Sequence, residues 1–245
     1  MGPIVVVVIA VIVLVLAVGG LMALGIRGER RTTSFEQTRA VQRVEVVVPS
    51  GAVSFVASAG PVRVERRIRW MLARPMSTET LVSGVLRLET RADHRWQRGG
   101  EASYRVEVPA GLGVRASTGA GEVSADGMRS EVRLHTGAGR VHLSNLAGSV
   151  RADTRAGTVQ GSQLTCRDLD VETNAGAVEL TFVEPPDRVE ARSNAGAVEI
   201  TLPDASYDVQ ATAVGDVVVD VVNDPSATRR VIAHADAGSV HVRSS

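Results

Sequence analysis

Between Val114 and Leu202 the sequence keeps returning to one short phrase: STGAGEV, HTGAGRV, DTRAGTV, ETNAGAV and SNAGAV. Its glycines, Gly121, Gly139, Gly157, Gly176 and Gly196, follow one another at intervals of 18, 18, 19 and 20 residues. Fainter copies of the same phase occur at Gly215 and Gly238, with an early one at Gly51 in VPSGAVSF. A period this short and regular describes stacked units, because one such unit cannot bury its own apolar stripe.

The residues around each glycine say how a unit is built. Two positions after it stand Val123, Val141, Val159, Val178 and Val198; five before it stand Ala116, Leu134, Ala152, Val171 and Ala191. Three before it the chain carries Thr118, Thr136, Thr154, Thr173 and Ser193. These small or apolar positions alternate with charged ones, which is the period of a half-buried strand. Each unit is therefore a strand, a tight corner and a second strand. Two before the glycine come Gly119, Gly137, Asn174, Asn194 and Asp236, types that tolerate positive φ, while Arg155 and Ala213 depart from the pattern. A side chain at the glycine itself would strike the next coil, since stacked strands lie only ~4.8 Å apart. At ~3.3 Å per residue one unit makes a loop of perimeter roughly 60 Å, about one turn of a solenoid. The expected fold is all-β, a single-domain β-solenoid (β-helix). A β-sandwich would use similar strands but gives no reason for glycine at one phase.

The runs VPAGLGVRASTGAGEVSADG, TGAGRVHL, TNAGAVEL and SNAGAVEI resemble the bacterial adhesin-like repeat family also called the toastrack domain. The resemblance spans about Val44 to Val242 and rests on the repeat, with no catalytic signature. It implies a non-enzymatic, membrane-tethered interaction domain on the outer side of the membrane, related to proteins of Lia-type envelope-stress systems.

Ile4 to Ile26 is an uninterrupted apolar run of 23 residues. As a helix it would extend ~34 Å, enough to cross a hydrocarbon core of ~30 Å, so residues 1–26 read as a transmembrane segment. Ala23-Leu24-Gly25 resembles a small-residue cleavage site, and removal of the segment as a signal peptide is the alternative. Arg27, Arg30 and Arg31 follow the run, and by the positive-inside rule they place the domain in the cytoplasm. That direct signal tips the reading toward the cytoplasm, against the side the resemblance implies. Residues 27–43 read as a polar juxtamembrane linker, and 44–245 as the solenoid. Val44 to Phe55 is the first coil, 56–112 are irregular coils or a cap, and 113–245 are the regular array. Ala73 to Ser83, with Pro75, reads as an excursion.

Net formal charge is zero, which gives no electrostatic reason to expect a nucleic-acid partner. No metal or other cofactor is expected. His135 and His142 lie around one corner and His234 and His241 around another; outward-facing and ~24 Å apart at the strand spacing, the two pairs share no ion. Cys166 stands alone, without a disulfide partner or a nucleophile's neighbours. Arg115, Arg133 and Arg151 stack in one column, but Asp170 and Glu190 continue it and neutralise it. The candidate interaction surface is Arg69, Trp70, Arg95 and Trp96, in the most basic and aromatic part of the irregular region. A second is the complete apolar coil 231–242, read as an open C-terminal edge that would accept a partner's strand or a second copy. The expected function is a membrane-tethered binding scaffold. The alternatives are a polysaccharide-acting β-helix enzyme, which needs carboxylates converging on one groove, and a passive spacer.

Overall fold

The structure is a computed structural model, described over residues 27–35, 41–71, 74–91 and 100–245. The apolar run 4–26 lies outside the described residues, and among those described no helix is long and apolar enough to cross a membrane. The described residues form strands, turns and bends without any helix.

The N-terminal part supplies β1 (Arg27–Phe35), β2 (Arg43–Val48), β3 (Val53–Ala57), β4 (Val62–Trp70), β5 (Met76–Val82), β6 (Val85–Arg91) and β7 (Glu101–Val108). The regular array runs through β8 (Gly113–Thr118), β9 (Val123–Asp126), β10 (Val132–Ala138), β11 (Val141–Ser144), β12 (Val150–Ala156), β13 (Val159–Leu164), β14 (Asp168–Ala175), β15 (Val178–Phe182), β16 (Arg188–Ala195) and β17 (Val198–Leu202). The last part is β18 (Ser206–Ala213), β19 (Val217–Asp220), β20 (Val222–Asn223), β21 (Arg230–Ala237) and β22 (Val240–Ser244). Two 11-stranded sheets result. Sheet A has the order β1-β4-β7-β3-β9-β11-β13-β15-β17-β22-β19, and sheet B the order β20-β18-β21-β16-β14-β12-β10-β8-β2-β6-β5. Through the array each coil gives one strand to each sheet, and like residues pair in parallel register: Val132 with Val114 and Val150, Val141 with Val123 and Val159.

Alternation decides which side chains fill the space between the sheets. Val44, Val46, Val123, Val141, Leu143, Val171, Val178 and Ile200 are buried, each such burial contributing ~1.5–3 kcal/mol. The extra residue of the 19-residue interval is absorbed in β13, where pairing with β15 shifts between Gly161 and Leu164 and Gln163 takes φ 53°. Leu164 then fills the place that Gly161, lacking a side chain, leaves open.

The corner glycines form one column. A β-carbon on Gly121 would overlap the carbonyl of Gly51, one on Gly139 that of Gly121, and so on through Gly157, Gly176, Gly196 and Gly238. All seven have φ between 131° and 158°, a region essentially closed to other residues. Gly215 stacks on Gly238 at the end of the column. In the regular array the hydroxyls three positions before the corners are buried, and four of them donate to the glycine carbonyl of the preceding coil: Thr118 to Gly51 (3.2 Å), Thr136 to Gly121 (3.1 Å), Thr173 to Gly157 (3.1 Å) and Ser193 to Gly176 (2.9 Å). Thr154 is buried in the same position, yet its hydroxyl has no partner among the described residues.

Both ends depart from sequential stacking. The described residues of 58–112 depart from that order: β6 and β7 flank β2 and β3 in parallel, and β4 and β5, together with β1, extend the sheets antiparallel. Residues 27–35, expected within a linker, are therefore strand β1. It is held by main-chain pairing and by ion pairs such as Arg30–Glu65 (2.9 Å), so no buried alternation marks it in the sequence. Met76–Val82, expected within an excursion, is strand β5, returning to β6 through a tight turn at Ser83 and Gly84, both with positive φ.

At the other end the expected open edge is corrected. Residues 231–242 belong to β21 and β22, which are covered on both sides, β21 by β16 and β18 and β22 by β17 and β19. β18 and β19 lie one place further out, and the last two strands sit between them and β16 and β17. Gly238, at φ 158°, suits a corner stacked between two others. The exposed terminal coil is 206–223.

Candidate interaction surfaces

Arg69 and Trp70, neighbours on β4, point to opposite sides of sheet A. Arg69 is exposed on the outer face, while the partly buried Trp70 packs against the core, with the Arg74 guanidinium 5.9 Å from its ring centre. Arg95 and Trp96 lie outside the described residues. Among the described residues the expected cluster therefore contributes one outward-facing residue, Arg69.

That residue joins two hollows. One, of about 280 Å³, lies on the outer face over β3, β4 and β7, lined by Ser54, Glu65, Arg67, Arg69, Tyr104 and Arg105 among others. The second, about 540 Å³, follows the corner past Ser50, Gly51, Glu101, Gly121 and Glu122. Antiparallel register brings Arg67 beside Ser103, Arg69 beside Glu101 and Arg105 beside Glu65. Glu65 bonds Arg30 and lies 3.5 Å from Arg67; the Arg30 guanidinium holds its carboxyl below the usual range. Arg69 makes no ion pair with another described residue. A carboxylate kept ionised and paired is a poor proton donor, so the arrangement suits holding an anionic group better than acid–base work.

Arg66, by contrast, points inward and is 6% exposed. It bonds Glu79 of β5 (3.3 Å) and lies 3.9 Å from Glu29 of β1, tying the two sheets together at the N-terminal end. Its place in the alternation, in phase with Val64 and Ile68, was the available signal.

The terminal coil offers a different surface. Val217 and Val218 of β19 are about half exposed, Val222 of β20 is 64% exposed and Val214 at the corner 83%. Alternate residues of a parallel strand bond alternate neighbours; Asp216 accepts from Val240, so the main-chain groups of Val217 and Val219 face away from β22. A hollow of about 280 Å³ lies between Pro203, Asp204, Val219, Asp220 and Val222. Tyr207 is buried, its hydroxyl donating to the Pro203 carbonyl (2.9 Å) and its pKa raised by burial.

The remaining candidates stay apart. His135 pairs with Asp153 of the next coil and His234 with Asp236 (2.8 Å), while His142 and His241 lie on the other sheet. Among the described residues no three His, Cys, Asp or Glu side chains are grouped to hold a metal. Cys166 is buried and its thiol is pushed up to about 12 by desolvation, which keeps it protonated and unreactive. The column Arg115, Arg133, Arg151, Asp170, Glu190 is continuous in register, and Glu190 is clamped between Arg188 (2.6 Å) and Arg192.

No curated protein matches the sequence. Among solved structures, a “putative cell adhesion protein” from Clostridium sporogenes aligns over 89% of this chain and all of its own, with 10% identity and a TM-score of 0.40. A “putative adhesin” from Bacteroides fragilis aligns over 89% of this chain and 97% of its own, with 12% identity and a TM-score of 0.49. The Toastrack DUF4097 family model matches residues 90–243, well over half of the chain and including every regular coil. With its glycine column and paired parallel sheets, the chain belongs to the Toastrack DUF4097 family.

Proposed function

We propose that this toastrack chain is a non-enzymatic, membrane-tethered binding scaffold that holds anionic groups of a partner on the outer face of sheet A. The observation carrying the reading is Arg69, an exposed guanidinium with no ion pair among the described residues, set between two hollows and flanked by Arg67 and Arg105. The tether is the apolar run 4–26, and the flanking arginines orient the domain toward the cytoplasm. A role in envelope-stress sensing rests on the resemblance of the repeats alone.

The test uses the full chain in membranes. Polyglutamate serves as the anionic probe, and Arg69→Ala together with Arg67→Ala should weaken its binding at least about tenfold, the scale of losing one or two charge-assisted bonds. Unchanged affinity would remove the groove from consideration. Arg69→Cys, labelled in intact cells with a membrane-impermeant maleimide, reads the sidedness: a cytoplasmic domain stays unlabelled until the cells are opened. Recovery of the chain in the soluble fraction would sink the tether.

A further inference from the structure

The exposed apolar side chains of this protein are concentrated at its two ends. Among the described residues the exposed large hydrophobics are Val183, the edge residues Met76, Leu81 and Val82 of β5, and the valines of the terminal coil already described. Only Val183 lies away from an end. The middle of the solenoid is covered by charged and polar residues, as a monomer's surface is, and the ends are not.

The two portions of the chain carry opposite charge. Residues 27–122 hold sixteen arginines against ten acidic residues, and 123–245 hold eleven against seventeen. No arginine occurs between Arg192 and Arg229, a stretch holding Asp204, Asp208, Asp216, Asp220 and Asp224. Pairing two C-terminal ends would set aspartates against aspartates. Pairing one C-terminal end with one N-terminal end would set them against the arginines of β1.

Strand direction fits the second arrangement. β1 is antiparallel to β4, β4 is antiparallel to β7, and β7 is parallel to β3 and to the rest of sheet A as far as β19. Among the described residues β1 and β19 are the edge strands of sheet A, and they therefore run the same way. A copy moved along the solenoid axis would set its β1 beside β19 in the parallel sense the sheet already uses. Carrying the register straight through the sheet puts Arg30 opposite Asp216, Arg31 opposite Val217 and Thr32 opposite Val218.

We propose that a second copy of this chain docks on the terminal coil, its β1 edge adding to β19, so that molecules stack head to tail into an open row. The contact is heterologous, so it does not close on itself and permits continued addition. This goes beyond the anion-holding groove and does not depend on it.

The test uses the full chain in membranes, with two single substitutions, Thr32→Cys and Val218→Cys; the native Cys166 is buried and does not compete. Mild oxidation of an equal mixture should give a cross-linked pair, and neither variant alone should. Asp216→Arg with Asp220→Arg in the Val218→Cys chain should reduce that cross-link at least fivefold. Arg30→Glu with Arg31→Glu in the Thr32→Cys chain should restore it. Thermal melts of each variant establish that the fold is kept. No cross-link in the mixture, a Val218→Cys chain that cross-links with itself, or charge reversals without effect would each overturn the proposal. Loss of polyglutamate binding on Arg69→Ala with cross-linking intact would separate this row from the groove.

Discussion

The hydroxyl of Ser193 donates to the carbonyl oxygen of Gly176 across 2.9 Å, from one coil to the corner of the coil before it. The same bond recurs at Thr118, Thr136 and Thr173. The corner carbonyl is turned toward the next coil, whose buried hydroxyl supplies the donor. Thr154 breaks the series.

That break separates two effects. Thr136→Val removes the donor to the partly buried Gly121 carbonyl and should lower stability by about 1 kcal/mol. Thr154→Val replaces an unpartnered buried hydroxyl with a methyl of similar shape and should be neutral or slightly stabilising. Urea midpoints of the two variants are the measurement; equal losses would mean the hydroxyl series contributes nothing specific.

Gly157→Ala should be severe. The added carbon meets the Gly139 carbonyl and the backbone there has φ 149°, so the coils must separate, with a loss of at least about 3 kcal/mol. Gly111, where an added carbon meets nothing within 4 Å, is the control, and Gly111→Ala should stay within about 0.5 kcal/mol of the parent in the same unfolding experiment.

Cys166 should be silent to a thiol reagent at pH 8 in the native chain and react once the chain is unfolded, so its labelling rate follows opening of the core. Its thiol is held to about 12 in the folded state, against an ordinary value near 8.5. The folded state thus keeps a proton that the unfolded state releases, and this contribution to stability is lost as pH rises above about 8.5. Cys166→Ala should flatten that alkaline decline.

Glu190 works in the opposite direction. The Arg188 guanidinium, with Arg192, holds its carboxyl below the usual range, so the folded state binds the proton less readily than the unfolded one. The stability it contributes is present above the unfolded value, about pH 4.3, and lost as pH falls through the depressed one. Glu190→Gln should be less stable than the parent at pH 7, by no more than about 1 kcal/mol, with the gap closing toward pH 3. Unfolding curves between pH 3 and 7 read this directly; a constant gap would mean the carboxylate's charge is irrelevant.

The corner phase, the inward valines and the stacked charge columns were all legible in the residues. Each follows from one local fact: strands 4.8 Å apart repeat the same environment in every coil, so the same residue type is selected at the same phase. Position in the alternation also separates the inward Arg66 from the outward Arg69. Strand β1 left no such trace, because an edge strand held by main-chain bonds and ion pairs has no buried face to write a period into the sequence.

What the residues by themselves determined is the coil: its length, its corner, its inside and its outside. What only the tertiary structure decided is the order of coils in space. β18–β19 and β21–β22 both alternate and both reach a corner glycine, and the departure of Ala213 from the corner pattern does not by itself say which pair lies inside. The inner place goes to the pair whose corner, Gly238, stacks between Gly196 and Gly215, and the outer place to the pair that leaves its valines uncovered. Neighbour order is a competition among non-local pairings, and it is settled by total burial rather than by any one segment's pattern.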